Sequence, residues 1–271
     1  MKTIKKETIL DIAERFIVNL KNKNGELDVI LGHNKHILGH YTRDHVKLTG
    51  GWYHRDIGIN VKFLSAIIEK YQIIDINFIG ASKSCSGCII LAKELLKYKF
   101  PELKMKLFLF SAYTTIDRNV YIKRKIEDKA PSSLQSLWHS DYYTESLIKK
   151  MEARRLVNIK NIDIYLFYPT KSKQGEIKLA RRIEGNNINY IELPVYMHNT
   201  LFPFWKKVQN DMTIELYENE FRKMHRQDYA FYTAMQMYKE YEFHLYSCIK
   251  EPHKFMAEFD KFKISYKKDS K

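Results

Sequence analysis

Hydrophobic residues along the chain fall into short continuous runs separated by longer stretches with helical spacing. The short runs are typical of buried parallel strands, and they predict strands at Leu27–Leu31, Ile74–Ile79, Met105–Phe110, Asn161–Tyr168 and Asn187–Leu193. Helical spacing predicts helices at Asn60–Tyr71, from Cys85 to Leu96, near Tyr142–Leu156, from Glu176 and from Leu201. Alternation of strands and helices over residues 27–208 predicts a mostly parallel sheet with helices on both faces.

Both ends of the chain are predicted to be helical. Ile9, Phe16 and Leu20 share one side of a short N-terminal helix within residues 1–24. Residues 209–271 are rich in Tyr and Lys, carry no strand signal, and predict long helices at 212–226 and 229–249. We therefore predict an α/β domain at residues 1–208 and a helical C-terminal extension at 209–271 that packs on it.

The turn Gly80-Ala81-Ser82-Lys83-Ser84 joins a predicted strand to a predicted helix. A serine in the middle of such a turn has the geometry of a nucleophile elbow, which lifts the hydroxyl above the sheet edge. The Lys83 amide would lie at a helix N-terminus, where it can stabilise an oxyanion. The usual pattern is G-x-S-x-G, so Ser84 must accept backbone angles that glycine takes freely. A phosphate-binding or purely structural turn is the alternative, because short Gly/Ser motifs arise often by chance.

A serine nucleophile needs a base, and the base needs an orienting acid. In elbow folds these follow the serine in the order acid, then histidine. His198 follows the last predicted α/β strand, and Glu176 lies in the loop after strand 161–168. Asp117 is the second candidate acid, and the absence of an acid also stays open. The backbone amide of His33 or Asn34, after the first predicted strand, is the candidate second oxyanion donor.

Composition narrows the class of protein. The 271 residues, 45% of them hydrophobic, suit one α/β domain with an appended helical piece. No apolar run approaches the ~20 residues of a membrane span, and the charged N-terminus lacks a secretory signal. We therefore expect a cytoplasmic protein. The net charge of +14 favours a polyanionic partner such as nucleic acid, an acidic glycan or a phosphate-bearing donor.

Cysteine and histidine contents do not indicate a disulfide framework or a metal centre. The three cysteines are too few for a framework. Cys85 and Cys88 form a C-x-x-C but lie on the inner face of a predicted helix, so we expect small buried hydrophobes rather than redox or metal chemistry. Histidines cluster between His33 and His54 without the helical spacing and nearby acid of a metal motif. We predict no metal site and no bound cofactor.

The elbow sequence GASKSCSG at residues 80–87 resembles the G-x-S-K-G-G-x-G elbow of α/β-hydrolase-fold proteins tied to bacterial surface polysaccharides. These include capsular polysaccharide O-acetyltransferases and an acetyltransferase-like component of accessory secretion systems. FSAYTTID at 110–117 and MHNTLFPFWKKV at 197–208 are similar to their later loops. Ser84 and Cys85 replace paired glycines, and Glu176 stands where an aspartate is usual. The resemblance implies acyl transfer from a thioester donor to a sugar hydroxyl, or hydrolysis of such an ester.

Together these observations predict a serine-dependent acyl-ester enzyme, an O-acetyltransferase or an esterase. Ser82 would form the acyl-enzyme, His198 would move the proton and Glu176 would orient the imidazole. The partners would be an acyl donor, with acetyl-CoA as a candidate, and a glycan-type acceptor. The alternative is a non-catalytic protein on a degenerate hydrolase scaffold that binds an acidic glycan or nucleic acid. The sequence leaves the acyl group, the acceptor and the oligomeric state open.

Overall fold

A seven-stranded sheet forms the centre of the structure, a computed structural model that describes residues 16–20, 25–32, 43, 45–49, 57–98, 100, 102–130, 132–169, 183–193, 205–207 and 241–243. The strand order is β1-β3-β2-β4-β5-β6-β7, and every neighbouring pair is parallel except β1 with β3. The strands are β1 Phe16–Asn19, β2 Glu26–Gly32, β3 His45–Thr49, β4 Asp75–Ala81, β5 Lys104–Phe110, β6 Ile162–Pro169 and β7 Ile188–Leu193. This arrangement confirms the predicted mostly parallel α/β sheet.

Helices connect β3 to β4, β4 to β5 and β5 to β6. They are α1 Ile57–Tyr71, α2 Ser84–Tyr98, α3 Arg118–Lys123, α4 Ser132–Trp138 and α5 Glu145–Met151, with 3-10 turns at Glu127–Lys129 and Ala153–Leu156. The predicted helices at 60–71 and after residue 84 are confirmed as α1 and α2. The helix predicted near 142–156 forms as the shorter α5 and the 3-10 turn that follows it.

The main core lies between the sheet and helices α1 and α2. On β2, Leu27, Val29 and Leu31 join the helices in this core, together with Leu64 of α1 and Ile89 of α2. Asp28 and Ile30 alternate with these three residues and so face the other side of the sheet, and they are also fully buried. Burial of both faces explains why this strand reads in the sequence as a nearly continuous apolar run.

A second, smaller core forms beneath the segment between β5 and β6. Its members include Ile90 of α2 and aromatic residues of the segment itself. The Trp138 indole Nε1 donates to the Ile116 carbonyl at 2.8 Å, which closes this segment on itself. The Lys93 ammonium of α2 donates to the carbonyls of Lys150 and Glu152 at 2.7 and 2.8 Å, at the C-terminal end of α5. Helix α2 therefore contacts a core on each of two sides.

Two strands differ from the sequence prediction. Residues 16–19 were expected in a helix but form β1, paired antiparallel with β3 from Phe16 opposite Leu48. The apolar residues of this segment fit a helical pattern and a strand pattern equally well, so pairing with the neighbouring strand β3 decides between helix and strand. Strand β3 was not predicted, because its alternation covers only five residues, between polar loops. Its Val46 and Leu48 belong to the main core.

His45, one of the clustered histidines, lies on β3 and is buried. Its ring nitrogen Nδ1 is 2.8 Å from the Arg43 carbonyl oxygen. The Arg43 guanidinium binds the fully buried Asp28 carboxylate at 2.8 Å, and the Asn77 amide donates to the same carboxylate at 2.6 Å. A buried carboxylate needs such partners. His45 therefore belongs to a structural polar network near the start of the strands.

The chain divides into two compact units, residues 1–35 with 43–200, and residues 36–42 with 201–271. In the second unit, β8 Trp205–Lys207 pairs antiparallel with β9 Tyr241–Phe243. The helices predicted from Leu201 and over 229–249 are therefore wrong at these six residues, where aromatic side chains favour strand pairing. The rest of those helices and the helix at 212–226 lie outside the described residues, and the domain division at residue 208 stays a prediction. Within the described residues, no helix is long and apolar enough to span a membrane.

Candidate active site

The turn between β4 and α2 has the geometry of a nucleophile elbow. Ser82 adopts a left-handed backbone conformation with φ of 56°, and the residue is partly exposed. Its amide donates to the Phe110 carbonyl of the neighbouring strand β5 at 2.8 Å, and its carbonyl accepts from the Cys85 amide at 3.1 Å. These two bonds hold a conformation that costs an L-residue of order 1–3 kcal/mol. A serine in the tight turn between strand and helix is what the sequence predicted.

Gly80 allows α2 to approach β4 closely. A Cβ atom at Gly80 would lie 2.7 Å from the Cys88 sulfur and 3.1 Å from the Cys85 nitrogen. Ser84, at the second glycine position of the usual motif, is fully buried at the start of α2 and does not have a positive φ. The expectation that Ser84 must adopt glycine-like angles is therefore wrong, because the left-handed conformation falls on Ser82 itself.

Cys85 and Cys88 are free thiols and fully buried, as predicted for small core residues. The Cys85 thiol donates to the Gly80 carbonyl at 3.1 Å. Burial raises the pKa of both thiols well above the ordinary range, so they remain protonated. Among the described residues, no group of three His, Cys, Asp or Glu side chains is placed to hold a metal ion.

Helix α2 points its N-terminus at the Ser82 turn. The first four amides of an α-helix have no acceptor within the helix, and together they carry a partial positive charge. Lys83, between Ser82 and the first helical residue, is partly exposed. Its amide is therefore placed where an oxyanion formed beside Ser82 could accept a hydrogen bond.

Tyr113 is a site residue that the sequence interpretation missed. The Ser82 hydroxyl donates to the Tyr113 hydroxyl at 3.2 Å, while the Tyr113 side chain is only 1% exposed. Tyr113 lies in the loop that follows β5 at the carboxyl edge of the sheet, where α/β sites lie. Nothing in the sequence distinguished this tyrosine from an ordinary core aromatic.

Asp117, the second candidate acid, caps helix α3. Its carboxylate accepts from the Asn119 amide at 3.0 Å, in the position that a helix N-cap requires. The structure thus gives Asp117 a local role at the start of α3.

His198, Glu176, His33 and Asn34 lie outside the described residues. The strands that precede them are described: β7 ends at Leu193, β6 at Pro169 and β2 at Gly32. All three run parallel to β4, so their carboxyl ends lie on the same edge of the sheet as Ser82.

The sheet also has a topological switch point beside the elbow. From β2 the chain continues to β3 on one side, whereas from β4 it continues to β5 on the other. Ligands of open α/β sheets bind outside the carboxyl ends of strands at such a point. The switch point lies between the ends of β2 and β4, next to Ser82.

The central parallel sheet and the strained serine after its middle strand decide the fold. The chain has an α/β-hydrolase-like fold. No protein-family model matches its sequence, and no curated protein matches it either. The fold is similar to that of a lipase-esterase related protein from Clostridium acetobutylicum, with 13% identity, 68% of this chain and 91% of that chain covered, and a TM-score of 0.41. It is also similar to the esterase RhEst1 from Rhodococcus, with 10% identity, coverages of 69% and 88%, and a TM-score of 0.43.

Proposed function

We propose that the protein is a serine-dependent acyl-ester enzyme. The observation that carries the proposal is Ser82 itself, a partly exposed residue held in a strained conformation in the turn just before α2. Ser82 Oγ attacks the acyl carbonyl carbon and passes its proton to His198. The imidazolium then protonates the leaving group, which leaves an acyl-Ser82 ester. Water or a sugar hydroxyl attacks this ester, and the same imidazole takes the proton of the attacking group.

Strand spacing supports His198 as the base. Strands β4 and β7 are separated by β5 and β6, so three spacings of about 4.8 Å place their ends roughly 14 Å apart. His198 follows Leu193 by five residues, which extend to at most about 17 Å. The chain is therefore long enough for the His198 ring to reach Ser82.

The same reasoning supports Glu176 as the orienting acid. Strand β6, which ends at Pro169, lies directly between β5 and β7. Glu176 follows Pro169 by seven residues, so its carboxylate can reach an imidazole that arrives from β7. Asp117 is already bound to the start of α3, which favours Glu176 over it.

Two backbone amides would form the oxyanion hole. One is the Lys83 amide at the start of α2. The other is the amide of His33 or Asn34, because β2 pairs with β4 through Leu31 opposite Gly80 and ends one residue later. The end of β2 is thus beside the elbow, at the topological switch point.

For the substrate, we propose a glycan hydroxyl and an acyl thioester such as acetyl-CoA. The resemblance of residues 80–87 to the elbow of polysaccharide O-acetyltransferases supports this class of reaction. The net charge of +14 suits a phosphate-bearing donor or an acidic glycan. Transferase and esterase share the acyl-enzyme and differ only in the acceptor that resolves it.

A fluorophosphonate probe tests the nucleophile. We expect intact-protein mass spectrometry to show one adduct on the wild type and on Ser86→Ala, and none on Ser82→Ala. Ser86 is the matched control because it is a fully buried serine of α2, four residues after Ser82. No Ser82-dependent adduct on folded protein would contradict the proposal. Salt-sensitive binding of an acidic polymer, unchanged in Ser82→Ala, would then favour the non-catalytic alternative.

Rates of labelling test the base and the acid. His198→Ala is expected to slow labelling by ~100-fold or more, because general-base catalysis contributes that much. Glu176→Gln is expected to slow it substantially, whereas Asp117→Asn, which keeps an oxygen to cap α3, should leave it near the wild-type rate. The opposite order of the last two variants would assign the acid to Asp117.

A further inference from the structure

We infer that Tyr113 is a catalytic residue whose phenol donates a hydrogen bond to Ser82 Oγ whenever that oxygen carries negative charge. The inference rests on the proposed function, because it gives Tyr113 a role only if Ser82 is the nucleophile. Its starting point is the contact of 3.2 Å between the two hydroxyl oxygens.

The position of Tyr113 is fixed by its loop. The loop leaves β5 through Ser111, which has a left-handed φ of 51° and whose amide donates to the Phe167 carbonyl at 2.9 Å. On the other side of Tyr113, the Thr114 carbonyl accepts from the Ala153 amide at 3.1 Å. The Tyr113 ring packs in the smaller core. The phenol is therefore held in place before any substrate binds, as an effective catalytic donor must be.

The exposure of the two side chains is also unequal. Ser82 is partly exposed, whereas Tyr113 is buried almost completely. A hydrogen bond from a buried group to a developing charge is stronger than one in water, because the surrounding dielectric is lower. Only the tip of Tyr113 meets the reacting oxygen, and its ring is used for packing.

The direction of the hydrogen bond follows from the chemistry of the two groups. In the resting protein the Ser82 hydroxyl donates to the phenol, and either hydroxyl hydrogen can rotate. Once the serine proton passes to the imidazole, only the phenol has a hydrogen left to donate. Tyr113 then donates to the serine oxygen as its bond to the acyl carbon forms. It donates again when that bond breaks and the oxygen leaves, and it keeps its own proton throughout.

Kinetics of fluorophosphonate labelling test the inference, with the inactivation rate constant separated from the probe's dissociation constant. Tyr113→Phe removes one oxygen and leaves the ring. We expect its inactivation rate constant to fall ~10- to 100-fold, the range for a hydrogen bond to a charged group, while probe binding is unchanged. Release of acetate from acetylated Ser82, followed by mass spectrometry, should slow as well, because Ser82 Oγ is the leaving group.

Tyr121→Phe is the matched control. Tyr121 is equally buried, belongs to the same small core, and donates through its hydroxyl to the Thr115 carbonyl at 3.5 Å, not to Ser82. Its inactivation rate constant should stay within about twofold of the wild type. If Tyr121→Phe slows labelling as much as Tyr113→Phe, loss of packing explains the effect and the inference is wrong.

A second variant covers the case in which Tyr113→Phe does not fold. Site-specific replacement of Tyr113 by difluorotyrosine keeps the hydroxyl but lowers its pKa, so the phenol loses its proton at lower pH. Labelling should then slow ~10- to 100-fold as pH rises through that ionisation, because the phenolate has no hydrogen to donate. A labelling rate unaffected by the ionisation would overturn the inference.

The outcomes separate the two proposals. Wild-type rates in Tyr113→Phe, or faster ones, would overturn the role of Tyr113 and leave Ser82 as the nucleophile. Absence of any Ser82-dependent adduct on the wild type would overturn both.

Discussion

The closest test of the elbow geometry is Gly80→Ala. The added Cβ atom would lie 2.7 Å from the Cys88 sulfur, about 0.7 Å inside the 3.4 Å at which ordinary contact begins. It would also lie 3.1 Å from two backbone atoms, the Cys85 nitrogen and the Ser84 carbonyl carbon. Because both residues belong to α2 and are fully buried, the helix as a whole must move away from β4.

We expect Gly80→Ala to lower the free energy of unfolding by about 1–3 kcal/mol, the usual cost of overpacking a core. Displacing α2 also moves the Lys83 amide and the Ser82 hydroxyl, so fluorophosphonate labelling should slow more than stability alone explains. Urea unfolding and labelling rates measure the two effects. Adding Cys88→Ala should recover part of the stability loss, since it removes the shortest contact but not the two backbone contacts.

Gly58→Ala is the control for the same chemical change. Gly58 lies in α1, and a Cβ there meets nothing within 4 Å. Alanine is the better helix former, so this variant should be more stable by up to about 1 kcal/mol. Substitutions at ordinary surface positions usually change the free energy of unfolding by less than about 0.5 kcal/mol. The reasoning fails if Gly80→Ala changes it by no more than that and if the variant is also labelled at the wild-type rate.

Two further predictions concern strain and charge. Glycine adopts the left-handed conformation of residue 82 without strain, so urea unfolding should show Ser82→Gly to be about 1 kcal/mol more stable than Ser82→Ala. Equal stabilities of the two variants would contradict strain at this residue. Burial lowers the pKa of Lys47 on β3 from 10.5 to about 8, so between these pH values the unfolded chain binds more protons and stability rises with pH. The free energy of unfolding should rise by about 3 kcal/mol over this pH range, and Lys47→Met should not show the rise. Parallel stability curves for the two proteins from pH 8 to 10.5 would exclude this contribution.

The central strands β2, β4 and β5 were predictable because they are largely buried on both faces. Residues such as Phe78 and Leu107 stand in runs that no helix of similar length explains, and β4 and β5 formed where those runs lie. Strands β1 and β3 were not predictable in this way. The first satisfies a helical pattern equally well, and the second includes Lys47, a buried charge that the pattern assigns to a solvent-exposed position.

The candidate site was predictable only where local chemistry determines it. Gly80 and Ser82 follow from the demands of one tight turn, and the structure confirms that turn. Tyr113 depends on how β5 and its loop approach the turn from 31 positions further along the chain. No local pattern encodes such an approach. His198 and Glu176 stay predictions for the same reason, because their roles depend on distances between separate strands.

Helix α2 is enclosed from two directions, by the sheet on one side and by the segment between β5 and β6 on the other. From Ser84 to Ala92 every residue is buried, and Lys93 then holds the end of α5. A helix confined in this way cannot slide or rotate to adjust to a substrate. Under the proposed function, the acyl donor must therefore be brought to a fixed Ser82 hydroxyl, and adaptation to different acyl groups must come from residues other than those of this helix.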